Sequence, residues 1–367
     1  MVYQIAGMIR NPTQHTLTLV GLLALSGLAG TAACSGATAT PPAPSSQAGQ
    51  EPPRAASAPS VATNAASPGG SPAVTPPATK KPAAPFVRQT KPLTIPEARR
   101  YMLALINRDR ASQGLAPVEL DEGAATTAGQ AHAEDMVRLG YLGHWGSDGS
   151  VPEQRYTDAG GADMVLENAL CFTDEKKRTL DGQPRIDPAQ IEKAESQFFD
   201  EVPPNDGHRR NILRPSHTHV GIGVAQPLAT ATELAVPCFT HEFVDAYGTY
   251  GSLPKRAKVG ATVHVSGTLA ANAEPTGVGV ARAALPKPLE ASELNKRRSY
   301  PVPKPFQVYW RPGFVTPIPV RIDGRNFSID VPLTDRAQPG LYEISIWARL
   351  NGAKEDSMVS VRTIVVE

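Results

Sequence analysis

Apolar positions change their spacing several times along the chain. Between Leu17 and Leu28 they run almost unbroken through Val20, Leu22, Leu23 and Leu25, and the run closes on Thr31-Ala32-Ala33-Cys34. This is shorter than the ~20 apolar residues a membrane span needs, and small residues at its end suit a signal peptidase, so residues 1–34 read as an export signal. From Ser35 to Lys91 large apolar side chains are almost absent before Phe86. Such a stretch buries too little to offset the entropy of ordering its backbone. Pro41-Pro42, Pro52-Pro53 and Pro76-Pro77 favour extended polyproline II geometry, so residues 35–92 are expected to form a disordered, semi-rigid tether.

After residue 93 the period becomes helical. Thr94, Pro96 and Glu97 open a helix on which Ala98, Tyr101, Met102, Leu105 and Ile106 recur at i, i+3, i+4, i+7 and i+8, ending near Gly114. A second helix is predicted from Asp121 to Gly140, with Ala125, Ala128, His132, Met136 and Leu139 on one face, and a third from Pro188 to Glu201. Residues 220–224 and 238–244 read as strands. This order lacks the regular alternation of a doubly wound sheet, so residues 93–251 are expected to be α+β, an antiparallel sheet covered by helices. From 252 to 367 short apolar runs at 259–265, 306–309, 315–322, 327–331, 341–350 and 358–366, separated by Pro, Gly, Asn and Asp, predict an all-β sandwich. Pro339-Gly340-Leu341-Tyr342, followed by Ile344, Ile346 and Ala348, resembles a late strand of bacterial immunoglobulin-like modules.

Composition narrows the function. The 367 residues hold 36 basic and 35 acidic side chains, and a net charge of +1 gives no field for gathering nucleic acid, so no nucleic-acid partner is expected. Of the three cysteines, Cys34 follows small residues and resembles the acylated cysteine of the bacterial lipoprotein cleavage box. The expectation is an exported, cell-envelope lipoprotein held to a membrane through Cys34, with plain secretion as the alternative. In an exported chain Cys171 and Cys238 are expected to form a disulfide, worth roughly 4 kcal/mol in the chain-entropy account.

Residues 207–225, Gly-His-Arg-Arg-Asn-Ile-Leu-Arg-Pro-Ser-His-Thr-His-Val-Gly-Ile-Gly-Val-Ala, resemble the signature of the CAP superfamily: cysteine-rich secretory proteins, antigen 5 and pathogenesis-related 1 proteins. Ile106-Asn-Arg-Asp-Arg110 with Gly114-Leu115, the helix holding Ala131 and His132, Tyr141-Leu-Gly-His144, Asp148-Gly149, Arg155 and Glu167-Asn168 occur in the family's order. The resemblance covers about residues 94–247 and implies an α-β-α sandwich in which two histidines and two glutamates meet in a surface cleft. Matched motif by motif, these are His144, Glu167, His208 and Glu201, with Glu195 as the alternative for the last. Leu166 stands where the family usually has a glycine before Glu-Asn.

Two neutral imidazoles can hold a divalent transition ion, zinc above others, while nearby carboxylates hold its water or orient a ring N–H. His144 and His208 are therefore the expected metal ligands. A carboxylate beside an imidazole also favours His⁺ and competes with metal. His132 is expected to be a packing histidine, His217 and His219 to lie in an exposed loop, and Asn168 and Asn211 to hydrogen-bond loop backbone. For His241-Glu242 one side chain is expected toward the cleft and the other toward solvent.

The expected function is binding of a small or lipidic ligand, or of a cell-envelope protein, in the His/Glu cleft. The alternative is a metal-dependent hydrolase in which Glu167 or Glu201 acts as general base. The chain has no HExxH helix and no GxSxG elbow. CAP domains are, by the same resemblance, mostly binding modules.

Overall fold

The computed structural model describes residues 86–171, 175–231, 235–297 and 299–367. The apolar run ending at Cys34, Cys34 itself and nearly all of the tether lie outside these residues.

Helix α1 (Ile95–Ser112) is opened by a capping box: the Thr94 backbone N–H and hydroxyl both donate to Glu97 Oε2, at 2.8 and 2.7 Å. It buries Ala98, Tyr101, Met102, Leu105 and Ile106, the stripe its period predicts. After the short β1 (Glu119–Leu120), helix α2 (Ala124–Leu139) starts later than Asp121. The Asp121 carboxylate accepts the Gly123 N–H at 2.6 Å, so it shapes the preceding turn instead of capping the helix. Helix α3 (Pro152–Asp158), strand β2 (Met164–Leu170), helices α4 (Pro188–Phe199) and α5 (Gly207–Ile212), and strands β3 (His219–Ala225) and β4 (Cys238–Asp245) complete the first part.

Its four strands run in the order β1-β3-β4-β2, antiparallel except for the β1–β3 pair. One face presents Val220, Ile222, Val224, Phe239 and Phe243 to α1 and α4. On the other, Gly221 and Gly223 of β3 let α2 approach closely: a Cβ on Gly223 would lie 2.2 Å from the Gly129 carbonyl oxygen. Helices thus flank both faces of a mixed sheet, an α+β arrangement. Cys171 and Cys238 are disulfide-bonded, tying the end of β2 to the start of its neighbour β4.

The regular structure of the remaining chain is almost entirely strand: β5 (Gly248–Tyr250), β6 (Arg256–Ala257), β7 (Thr262–Leu269), β8 (Ala273–Ala283), β9 (Gln307–Trp310), β10 (Arg321–Asp323), β11 (Asn326–Pro332), β12 (Gly340–Leu350) and β13 (Asp356–Val366). A short helix, α6 (Ala291–Leu294), lies between β8 and β9. Two sheets, β10-β11-β7-β5 and β6-β13-β12-β8-β9, share one core that includes Val265, Val280, Phe327, Ile344 and Ile346. The strand expected over 315–322 is reduced to Arg321–Asp323. Pro312, Pro317 and Pro319 supply no ladder donors, so the segment before it is a loop.

The outer face of the second sheet is not solvated throughout. Leu341 of β12 and Val361 of β13 pack with Tyr300 against Val151, Met164 and Leu166. Leu166, fully buried there, explains the departure from the glycine usual before Glu-Asn: its side chain seats the β-rich half. The same contact covers β2, the edge strand nearest the histidines. The β8–β9 connection adds a strap in which Asn295 accepts the Leu142 N–H at 2.9 Å, Leu289 N–H donates to the Ser147 carbonyl at 2.8 Å, and Tyr300 packs on Trp145. Arg297 lies over the Trp145 ring at 4.7 Å.

Candidate functional site

Strand β2 builds the site by alternation. Successive side chains point to opposite faces, so Glu167 enters the α2/α3 layer while Asn168 enters the layer holding α5. In the first layer Glu167 Oε1 accepts from His144 Nδ1 at 2.8 Å and Oε2 accepts from Arg155 at 2.6 Å. Arg155 also donates to the carbonyls of His144 and Ser150, at 3.0 and 3.1 Å, which fixes the loop that carries the histidine. In the other layer Asn168 donates to the His208 carbonyl at 3.2 Å and accepts from Asn211 at 2.9 Å.

His208 sits in the first turn of α5. Glu201, just beyond α4, reaches it twice, with Oε1 2.6 Å from ring Nδ1 and Oε2 accepting the His208 backbone N–H at 2.8 Å. The His144 and His208 rings face each other with centroids 6.4 Å apart and planes inclined by 42°. Each imidazole therefore sets its Nδ1 against a different carboxylate. His208 Nε2 is buried with no hydrogen-bond partner among the described residues.

All four predicted residues thus come together in one cluster. It is more enclosed than the open cleft implied by the family resemblance: His144 and Glu167 are 0 % exposed and His208 is 1 %. Glu195, the alternative for Glu201, is buried on α4 and lies 3.7 Å from His241 Nε2.

Electrostatics follow from this closure. Burial alone would raise Glu167, but Arg155, then His132 and His144, outweigh it and hold the carboxylate well below its usual range. Burial lowers His208 despite Glu201, which keeps its ring neutral and its lone pair available. Burial also takes His132 down to about 4. This histidine donates to the Gly143 carbonyl at 2.7 Å, as a packing histidine should, yet its Nε2 is also 3.8 Å from Glu167. Glu242, opposite Glu167 in the β2–β4 register, is raised well above its ordinary value by burial and by that neighbour.

The donor set fits a divalent transition ion bound through two imidazoles. Carboxylates on both Nδ1 atoms are the usual orienting partners, and two rings sharing an ion ~2.0–2.1 Å from each nitrogen hold their centroids roughly 5–6 Å apart, so the rings at 6.4 Å would draw slightly closer on binding. His144 and His208 would hold the ion, which would supply Lewis acidity. No group of three or more His, Cys, Asp or Glu side chains placed to hold a metal occurs among the described residues, so water would complete the coordination.

Several residues differ from the sequence-based expectation. His217 is buried, not exposed: its ring pairs with Asp245 at 2.6 Å and with Asn211 at 3.0 Å, extending the chain of polar groups from Asn168. His241 and Glu242 are both fully buried, so neither faces solvent. Arg155, recognised only as part of a matching block, is the cation that organises Glu167. Its role depends on a helix–strand contact that motif order does not encode.

The model of the cysteine-rich secretory protein family, CAP, matches residues 103–228. The chain is 27 % identical over 135 residues to "Uncharacterized protein YkwD" of Bacillus subtilis (strain 168), a match covering 37 % of this chain and 45 % of that protein. It also resembles an extracellular protein containing a SCP domain from Bacillus anthracis strain Ames, at 18 % identity and a TM-score of 0.29, over 41 % of this chain and 44 % of that one. The chain spans less than half the length of each. Residues 103–228 are thus similar to a CAP domain, and the His144, Glu167, Glu201 and His208 cluster lies within the matched segment.

Proposed function

We propose that the CAP domain is a binding module in which His144 and His208 together take a small ligand, with a divalent ion such as zinc as the first candidate. The observation that carries this reading is the pair of facing imidazoles, each fixed through Nδ1 by its own carboxylate. Both oxygens of Glu167 and both of Glu201 accept hydrogen bonds, which engages each carboxylate in orienting a histidine and its loop. That role supports binding over hydrolysis. The burial of both rings favours an ion and its waters over a bulky lipid or a peptide segment.

The reading extends to location. Residues 1–34 act as an export signal, acylation at Cys34 anchors the chain in the cell envelope, and residues 35–92 tether the folded part. A buried disulfide is at home in an oxidising compartment. The two C-terminal sheets are read as an immunoglobulin-like sandwich that docks the CAP domain at β2.

The test is a metal inventory by native mass spectrometry on residues 35–367, with peptide and ester turnover measured beside it. The expected result is one divalent ion per chain, lost in the His144→Ala/His208→Ala variant, with no turnover in the parent. Turnover that disappears with the ion would replace this reading by a metal-dependent hydrolase.

A further inference from the structure

The β9–β10 loop exposes large apolar side chains at its tip. Phe314 is 56 % exposed, Val315 101 % and Ile318 41 %. Isolated exposed apolar residues are ordinary, but a contiguous group held clear of the surface indicates contact with something apolar.

The loop holds this shape by its own bonds. The Trp310 N–H donates to Thr316 Oγ1 at 3.2 Å, that hydroxyl donates to the Ile318 carbonyl at 3.0 Å, and the Val320 N–H closes the loop onto the Trp310 carbonyl at 3.0 Å. Gly313 turns at φ +96°, a conformation that favours glycine, and Pro312, Pro317 and Pro319 restrict the flanking backbone. The apolar groups are therefore displayed in advance, and little ordering entropy opposes contact.

We infer that this loop inserts into the interfacial region of a lipid bilayer bearing anionic headgroups. A convex tip with a wholly exposed apex matches a bilayer surface better than a pocket on a folded partner. The nearby charges are basic on balance: residues 299–323 contain Lys304, Arg311 and Arg321 against the single acidic side chain of Asp323. Arg311 is ion-paired with Glu274 and lies 5.7 Å over the Phe314 ring, leaving Lys304 and Arg321 for headgroups. Trp310 at the base, 6.3 Å from Phe314, supplies the amphipathic ring typical of the headgroup level. An acyl anchor at Cys34 would keep the loop near such a surface, but insertion does not depend on it.

The test is co-sedimentation of residues 35–367 with vesicles of phosphatidylcholine and phosphatidylglycerol, compared with phosphatidylcholine alone. The protein is expected to pellet with the mixed vesicles, and Phe314→Asp/Val315→Asp is expected to weaken this by roughly tenfold or more. An unchanged melting temperature will show that the variant remains folded. Failure of the parent to pellet would overturn the inference, as would pelleting that survives the double substitution. Adsorption abolished by salt yet indifferent to Phe314 and Val315 would also overturn it, by showing headgroup attraction alone. So would a parent that dimerises through the tip and ignores vesicles.

Discussion

His144 Nδ1 lies 2.8 Å from Glu167 Oε1, although the loop and the strand that carry them belong to different layers of the domain. The contact is held from behind by Arg155, which grips the other carboxylate oxygen and the His144 carbonyl. Removing one partner from a buried ion pair leaves the other charge uncompensated. Arg155→Met is expected to lower stability by about 3 kcal/mol in urea denaturation at neutral pH. An effect below about 1 kcal/mol would place the pair in the weak class typical of exposed bridges.

The disulfide gives a second expectation. Cys171→Ala/Cys238→Ala removes a constraint spanning 67 residues of sequence and should cost roughly 4 kcal/mol, read as a lower denaturation midpoint without reductant. The parent should fall to a similar midpoint when reductant is added.

Helix–sheet contact at the glycines is equally specific. A Cβ on Gly223 would collide with the backbone of Gly129, which cannot move aside as a side-chain tip could. Gly223→Ala should therefore destabilise by about 2 kcal/mol or more, although alanine is otherwise a mild change. A thermal melt within a degree of the parent would mean that α2 does not pack this closely on β3.

Asp163 should make stability depend on pH. Burial pushes its carboxyl up to about 7 from an ordinary value of 3.8. Between these values the folded chain keeps a proton that the unfolded chain has lost, so this group's contribution to stability falls as pH rises from 3.8 to 7 and stays low above that. Asp163→Asn removes the ionisation. The variant should match the parent near pH 4 and exceed it near pH 8 by on the order of 2 kcal/mol. Parallel stability curves across that range would contradict the assignment.

Much of the architecture was legible before the structure because it depends on local period. The α1 stripe from Ala98 to Ile106 and the apolar alternation of Ile344, Ile346 and Ala348 each declare the face they bury. The site was legible differently. His144, Glu167, Glu201 and His208 came from motif order, and no spacing rule would have joined them. What escaped the sequence is three-dimensional coupling. His217 reads as a loop residue until Asp245 arrives from another strand, and Leu166 looks like an anomaly until Leu341 and Val361 cover it. Residues 315–322 misled because their apolar content suits a strand, while their prolines remove the donors a strand needs.

The central claim is that His144 and His208 form one ligand site through their Nε2 atoms. Its most direct test is a zinc titration of residues 35–367 followed by nitrogen-15 NMR of the imidazole rings. Both Nε2 signals should move together to completion at one equivalent of zinc. Movement of one ring without the other, or of neither, would contradict a shared site.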